Sequence, residues 1–99
     1  MTIKVFRMIN GEELIATVKS ETDGGFETTK PASIMLQQTA DGKMGVGIAP
    51  YMPYATGDIF IYRTALAAEA TPDVAMENEY NRIFGSGIQI VTAGTNPIV

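Results

Sequence analysis

The 99-residue chain contains no cysteine, no histidine and no tryptophan. Without cysteine it has no disulfide and no thiolate nucleophile, and this is compatible with a cytoplasmic setting. Without histidine it lacks the commonest general base and the imidazole ligand of most zinc sites. None of its three serines lies in the Gly-x-Ser-x-Gly context of a nucleophile elbow. Catalysis by cysteine or histidine is therefore excluded, and no serine shows the context of a nucleophile elbow.

Long apolar runs are also missing. No run approaches the roughly 20 residues that a membrane-spanning helix needs, and we expect neither a signal peptide nor contact with a membrane. Acidic residues outnumber basic ones by 11 to 7, which gives a net charge of −4. This balance disfavours indiscriminate binding to phosphate backbones, although a local basic patch stays possible.

The carboxylates do not form a recognisable catalytic pair. Glu12 and Glu13 are adjacent, so on a strand they point to opposite faces. Asp23 and Asp41 each precede glycine, as turn-forming residues do. We predict that the protein is not an enzyme and has no cofactor, metal site or small-molecule substrate, unless several subunits contribute carboxylates to one site.

Hydrophobic residues make up 45% of the chain and charged residues 18%, a globular composition. We predict one domain over residues 1–91, with strands within 3–66 and a helix at 71–84, followed by a tail at 92–99. A further short strand is predicted at 88–91.

An Asn-Gly pair at positions 10 and 11 stands between two apolar, β-type runs, which predicts a hairpin. A two-residue I′ turn would place Phe6 opposite Ile15. Both faces of that hairpin would be largely apolar, so another element must cover the second face.

Three more strands are predicted, at 26–38, 44–48 and 58–66. Pro31 should bend or bulge the first of them, and glycines leave one face of the second nearly bare. Five successive strands with short turns favour closure into a small barrel.

The helix signal is clear. Thr71 suits the N-cap and Pro72 the first helical position, and Gly85 suits a left-handed cap at the end. An apolar stripe should cover the back of the hairpin; it consists of Met76, Tyr80, Ile83 and Phe84.

Two segments resemble the motifs of the Sm-like family of ring-forming, RNA-associated proteins. Asn10-Gly11 followed by 14–18 is similar to the first motif, and Gly57-Asp58 followed by 59–61 is similar to the second. The resemblance implies a strongly bent, five-stranded antiparallel barrel of the SH3-like type. Strand four would join strand five of a neighbour in a homo-oligomeric ring of five to seven subunits. Short divergent members from bacteriophages look most similar.

The resemblance also implies sites. Loops at 21–25 and 53–57 would face the pore of the ring and bind RNA, with four candidate residues: Lys19, Lys30, Tyr54 and Thr56. The candidate residues of the subunit interface are Val46, Ile48, Ile59 and Ile61.

The chain departs from the family pattern in several places. Ala16 replaces the second glycine of the first motif, Thr56 replaces a basic residue, and the base-holding Asp and Asn have no counterpart in 20–31. The helix follows the strands instead of preceding them. A structural or protein-binding ring without nucleic acid is therefore the alternative, and a monomeric SH3-like barrel is a third hypothesis.

Overall fold

Six antiparallel strands of one sheet, followed by a helix, make up the fold. The computed structural model describes residues 2–85, and every structural statement below concerns that part of the chain. The elements are β1 (Thr2–Met8), β2 (Glu13–Thr22), β3 (Gly25–Gln38), β4 (Met44–Pro50), β5 (Ile59–Tyr62), a 3-10 helix (Arg63–Ala65), β6 (Leu66–Ala70) and α1 (Val74–Phe84). The strand predicted at 88–91 and the tail at 92–99 lie outside the described residues.

The sheet has the order β4-β3-β2-β1-β6, and β5 pairs with β3. Because β2 follows one edge of β3 over most of its length, β4 and β5 share the other edge. The chain then passes from β5 through the 3-10 helix into β6, which pairs with β1. A mainly β fold, with an antiparallel sheet and one C-terminal helix, is thus confirmed. No ladder joins β5 to β6 within residues 2–85.

The strand predicted at 58–66 is two strands, separated by the 3-10 helix. Arg63 fixes this break, because its side chain donates hydrogen bonds to the carbonyls of Thr22 (2.9 Å) and Asp23 (3.2 Å). Its guanidinium also pairs with Glu21 at 2.9 Å and lies 4.9 Å from the centre of the Phe26 ring. One cation therefore ties the turn between β2 and β3 to the turn between β5 and β6.

The first hairpin has a different turn from the predicted one. The Gly11 N–H donates to the Met8 carbonyl (2.9 Å) and the Met8 N–H to the Glu12 carbonyl (2.8 Å), with Gly11 at φ +93°. This is a three-residue loop, a type I turn followed by a glycine bulge. Phe6 consequently pairs with Leu14 instead of Ile15, a slip of one residue.

Both faces of the hairpin are apolar, as predicted, and both are covered. The inner cluster packs on one face; its buried members are Phe6, Met8, Leu14, Ala16, Val18, Phe26 and Ile61. The helix-side cluster packs on the other; it contains buried Ile15, Ala32 and Tyr80 with half-buried Ile3, Val5, Ile34, Ile48, Met76 and Phe84. Helix α1 therefore covers the back of the hairpin.

The helix begins two residues later than predicted. Asp73, not Thr71, is the N-cap, and its carboxylate accepts a hydrogen bond from the Met76 N–H at 2.7 Å. Gly85 has an extended conformation (φ −66°), so the predicted left-handed cap is wrong. Of the predicted stripe, Ile83 is exposed because it lies at the border of the buried face.

Within residues 2–85, no helix combines the length and the apolar character required to cross a membrane.

Gly25 provides a test of the packing between β3 and β5. It has φ +152°, and a Cβ at this position would collide with the Ile61 carbonyl oxygen. We expect Gly25→Ala to lower the free energy of unfolding by roughly 2–4 kcal/mol, since strain and overpacking act together. Urea denaturation measures this change. Gly24→Ala is the matched control, because its Cβ would make only ordinary contacts at 3.8 Å or more. Equal losses in the two variants would contradict this account.

Candidate functional site

The basic side chains are mostly neutralised by carboxylates of the same chain. All seven lie within residues 2–85, and five of them form ion pairs: Lys4–Glu69, Arg7–Glu13, Lys19–Asp58, Arg63–Glu21 and Arg82–Glu79. The surface therefore offers little positive charge to a phosphate backbone.

Lys19, a predicted RNA-binding residue, is held at the start of β5. Its Nζ lies 2.6 Å from the Asp58 carboxylate, and this hydrogen bond raises the pKa of Lys19. A phosphate could engage Lys19 only by competing with Asp58. The contact ties β2 to the residue that precedes β5.

Lys30, the second predicted cation, anchors the helix. It adopts the left-handed conformation (φ 53°) at an irregularity in the β2–β3 register beside Pro31, where a bend or bulge was predicted. Its Nζ donates to the Phe84 carbonyl at 3.0 Å, near the negative end of α1. Its own carbonyl accepts a hydrogen bond from the Tyr80 hydroxyl at 2.8 Å.

Tyr80 completes this anchor from the helix side. Its side chain is buried, and its hydroxyl lies 3.1 Å from the Thr17 hydroxyl and 3.3 Å from the Thr29 carbonyl as well. Burial raises the pKa of Tyr80, because the interior disfavours the phenolate. The hydroxyl of Tyr80 therefore holds the helix against the sheet.

Tyr54 and Thr56 lie on the exposed connection between β4 and β5, and Tyr54 is 98% exposed. Below this connection is a groove of about 460 Å³. Lys30 and Asp58 contribute charged groups to it, and its apolar walls include Pro31, Pro50, Met52, Pro53, Ile59 and Phe84. The structure therefore brings Lys30 close to the loop that carries Tyr54, while Tyr54 and Thr56 themselves do not line the groove.

The four predicted interface residues fall into different environments. Val46 is 48% exposed on β4, whereas Ile48 is half-buried against the helix-side cluster. Ile59 is half-buried and Ile61 belongs to the inner cluster, because β5 pairs with β3 of its own chain. Ile61 is only 3% exposed, so its side chain is not available to a neighbouring subunit.

The interface predicted from the sequence does not include two exposed apolar neighbours of Val46. Leu36 is 74% exposed and lies directly opposite Val46 in the β3–β4 register, and Met44 is 64% exposed two residues before Val46. We call these three side chains the arm patch. Leu36 and Val46 line a cavity of about 310 Å³ together with Pro72, Asp73 and Met76 at the start of α1. The alternation of Met44, Val46 and Ile48 was a signal for a face of this kind.

Beside the arm patch, the backbone of β4 is paired on one side only. β4 and β6 stand at the two ends of the strand order, so each has an open edge within the described residues. An open strand edge is a template for pairing with another chain.

A scan against protein-family models found no matching family, and a search of curated proteins found no match. Within residues 2–85, no cluster of three or more carboxylates is placed to hold a metal ion. The features that bear on function are the open edges of β4 and β6, the arm patch and the groove beside Lys30.

The Tyr80 anchor predicts how stability depends on pH. Since the folded state keeps the hydroxyl protonated, the unfolded state releases this proton first, above the ordinary tyrosine value of about pH 10. The contribution of Tyr80 is therefore complete below pH 10 and declines as the pH rises towards the higher pKa of the folded state. We expect Tyr80→Phe to lower the free energy of unfolding at pH 7 by roughly 1–3 kcal/mol, because the carbonyl of Lys30 loses its donor.

Urea denaturation of both proteins between pH 7 and pH 11 measures this effect. The difference between wild type and Tyr80→Phe should shrink above pH 10. A difference that stays constant over the whole range would show that folding does not raise the pKa of Tyr80. Comparing the two proteins cancels the alkaline titration of Lys19, which both of them share.

Proposed function

We propose that the protein is a non-enzymatic, Sm-like subunit whose sheet closes into a small barrel and which assembles with copies of itself into a ring of five to seven subunits. The ring acts as a structural or protein-binding component. The observation that supports this proposal best is the pair of open edges on β4 and β6, next to an exposed apolar patch.

The sequence of β4 does not protect its open edge. Proteins commonly protect such an edge with lysine, with proline or with inward-pointing charges. Over Met44–Pro50 the strand has no charged side chain, and its proline is the last residue. An unprotected edge beside apolar side chains is typical of a strand that pairs with another subunit.

Binding to RNA is the second candidate function, and the exposed Tyr54 is the observation in its favour. An aromatic ring at a loop tip can stack on a base, and each stacked base contributes about 1–3 kcal/mol. The paired cations and the net charge of −4 weigh against it, because single-stranded RNA is usually bound along a positively charged groove. The protein-binding ring is therefore our first proposal.

The mass of the particle tests the ring. We expect multi-angle light scattering at micromolar concentration to give five to seven times the 10.6 kDa of one chain. A 10.6 kDa particle would establish a monomer and remove the ring from consideration.

Fluorescence anisotropy with short U-rich and A-rich RNAs, each at two salt concentrations, tests the second candidate. We expect no binding tighter than to an uncharged control polymer. Affinity that falls with salt, and that falls at least fivefold further in Tyr54→Ala, would reverse the order of the two functions. Tyr62→Ala is the matched control, since Tyr62 is also exposed but lies outside the β4–β5 connection.

A further inference from the structure

We propose that segment 88–91 packs into the groove beside Lys30 of its own chain. This contact lies within one chain, so it is independent of the proposed ring and applies to a monomer and an oligomer alike. Three observations support it: the place where the described chain ends, the chemistry of the groove and the side-chain pattern of the segment.

The groove lies at a gap along one edge of β3. On this edge β5 pairs with β3 from Gly25 to Thr28, and β4 pairs with it from Ala32 onwards. Residues 29–31 therefore have no ladder partner on this edge within the described chain, and all three of them line the groove. Its volume of about 460 Å³ falls in the range of protein pockets that hold a ligand.

The described chain ends at this groove. Phe84, the last residue of α1, forms part of its wall. Gly85 lines a neighbouring cavity of about 320 Å³, which shares Thr29, Lys30 and Phe84 with the groove. Residues 86–99 follow directly. Three residues of extended chain span roughly 10 Å, so Ile88 is within reach of the groove. A segment tethered at the rim also has a high effective concentration there.

The chemistry of the groove suits an uncharged occupant. Its walls are largely proline, methionine, isoleucine and phenylalanine side chains. Its two charged groups already have partners in the same chain, since Lys30 donates to the Phe84 carbonyl and Asp58 accepts from Lys19. Every charged side chain of the protein lies within residues 2–85, so segment 86–99 brings none. It can therefore enter the groove without the cost of burying an unpaired charge.

The pattern of the segment indicates which side chains enter. Three of its four residues, Ile88, Ile90 and Val91, are β-branched and favour an extended backbone. In an extended segment alternate side chains point the same way, so Ile88 and Ile90 share one face while Gln89 and Val91 share the other. The face with two isoleucines is the more apolar one. We therefore assign Ile88 and Ile90 to the groove.

Methionine oxidation tests whether the groove is covered. Met52 lines the groove, whereas Met44 lies outside it on the arm patch. Dilute hydrogen peroxide oxidises accessible methionines, and peptide mass spectrometry gives the rate at each one. In the full-length double variant Ile88→Ser with Ile90→Ser, we expect Met52 to be oxidised at least fivefold faster than in the wild type, while the rate at Met44 stays the same.

The matched control is the double variant Gln89→Ser with Val91→Ser, which changes the opposite face of the segment and should leave both rates unchanged. An unchanged rate at Met52 in the isoleucine variant would overturn the inference. Equal increases in the two double variants would overturn the assigned face and the packing with it. Faster oxidation of Met52 and Met44 together would show a general loss of stability, and this too would contradict a local cover.

Disulfide trapping tests the contact directly, because the chain has no cysteine of its own. A full-length chain carrying Met52→Cys and Ile90→Cys is oxidised mildly, and we expect a bond within one chain, seen as a faster band on a non-reducing gel. The matched control pairs Ile90→Cys with Leu36→Cys, which is 74% exposed but lies outside the groove, and should give at least tenfold less of this product. Disulfide-linked dimers in place of the intrachain bond would show that the segment enters a second copy, and would overturn the inference.

Discussion

Burial of β2 on both faces is the constraint on which the fold depends. Leu14, Ile15 and Ala16 are successive residues, and all three are fully buried. Since adjacent residues of a strand point to opposite faces, each face needs its own cover. The inner cluster supplies one cover and α1 the other. A sheet covered on one face only would leave the other face of β2 exposed to water.

The helix is held by a few specific groups as well as by apolar contact. Its buried anchor is Tyr80, and Lys30 contacts both the hydroxyl of that tyrosine and the last carbonyl of the helix. Lys30 adopts the left-handed conformation, which costs energy for a residue other than glycine. The tertiary contacts of Lys30 offset that cost, so the residue has a structural role at the position where RNA binding was predicted.

Much of the architecture could be predicted from local patterns. Periodic patterns and turn residues depend only on residues close together in sequence. They were enough to predict the hairpin, the bend at Pro31, the alternation in β4 and the apolar stripe of α1. The predicted register of the hairpin is wrong by one residue, because Asn-Gly suits both a two-residue turn and a three-residue loop with a glycine bulge. Thr71 and Asp73 are both good N-caps, and only the extended path out of β6 decides between them.

The state of the charged residues could not be predicted in the same way. Lys19 and Asp58 are 39 positions apart, and Lys30 and Phe84 are 54 apart. No local pattern reveals such partners, so the sequence gives no sign that either lysine has one. The break between β5 and β6 has the same origin, since Arg63 finds its carbonyl partners about 40 positions earlier. Family motifs that describe single segments do not record these long-range pairings.

The position of α1 at the end of the described chain has a consequence for synthesis. The hairpins of β1 to β4 use contacts between neighbouring segments, so they can form as the chain grows. Tyr80 reaches partners 50 and 63 residues earlier, so the helix docks only after the sheet exists. Until Phe84 has been synthesised, Ile15 and Ala32 remain uncovered. During translation the nascent sheet therefore exposes an apolar face, and this interval is when the chain is most vulnerable to aggregation.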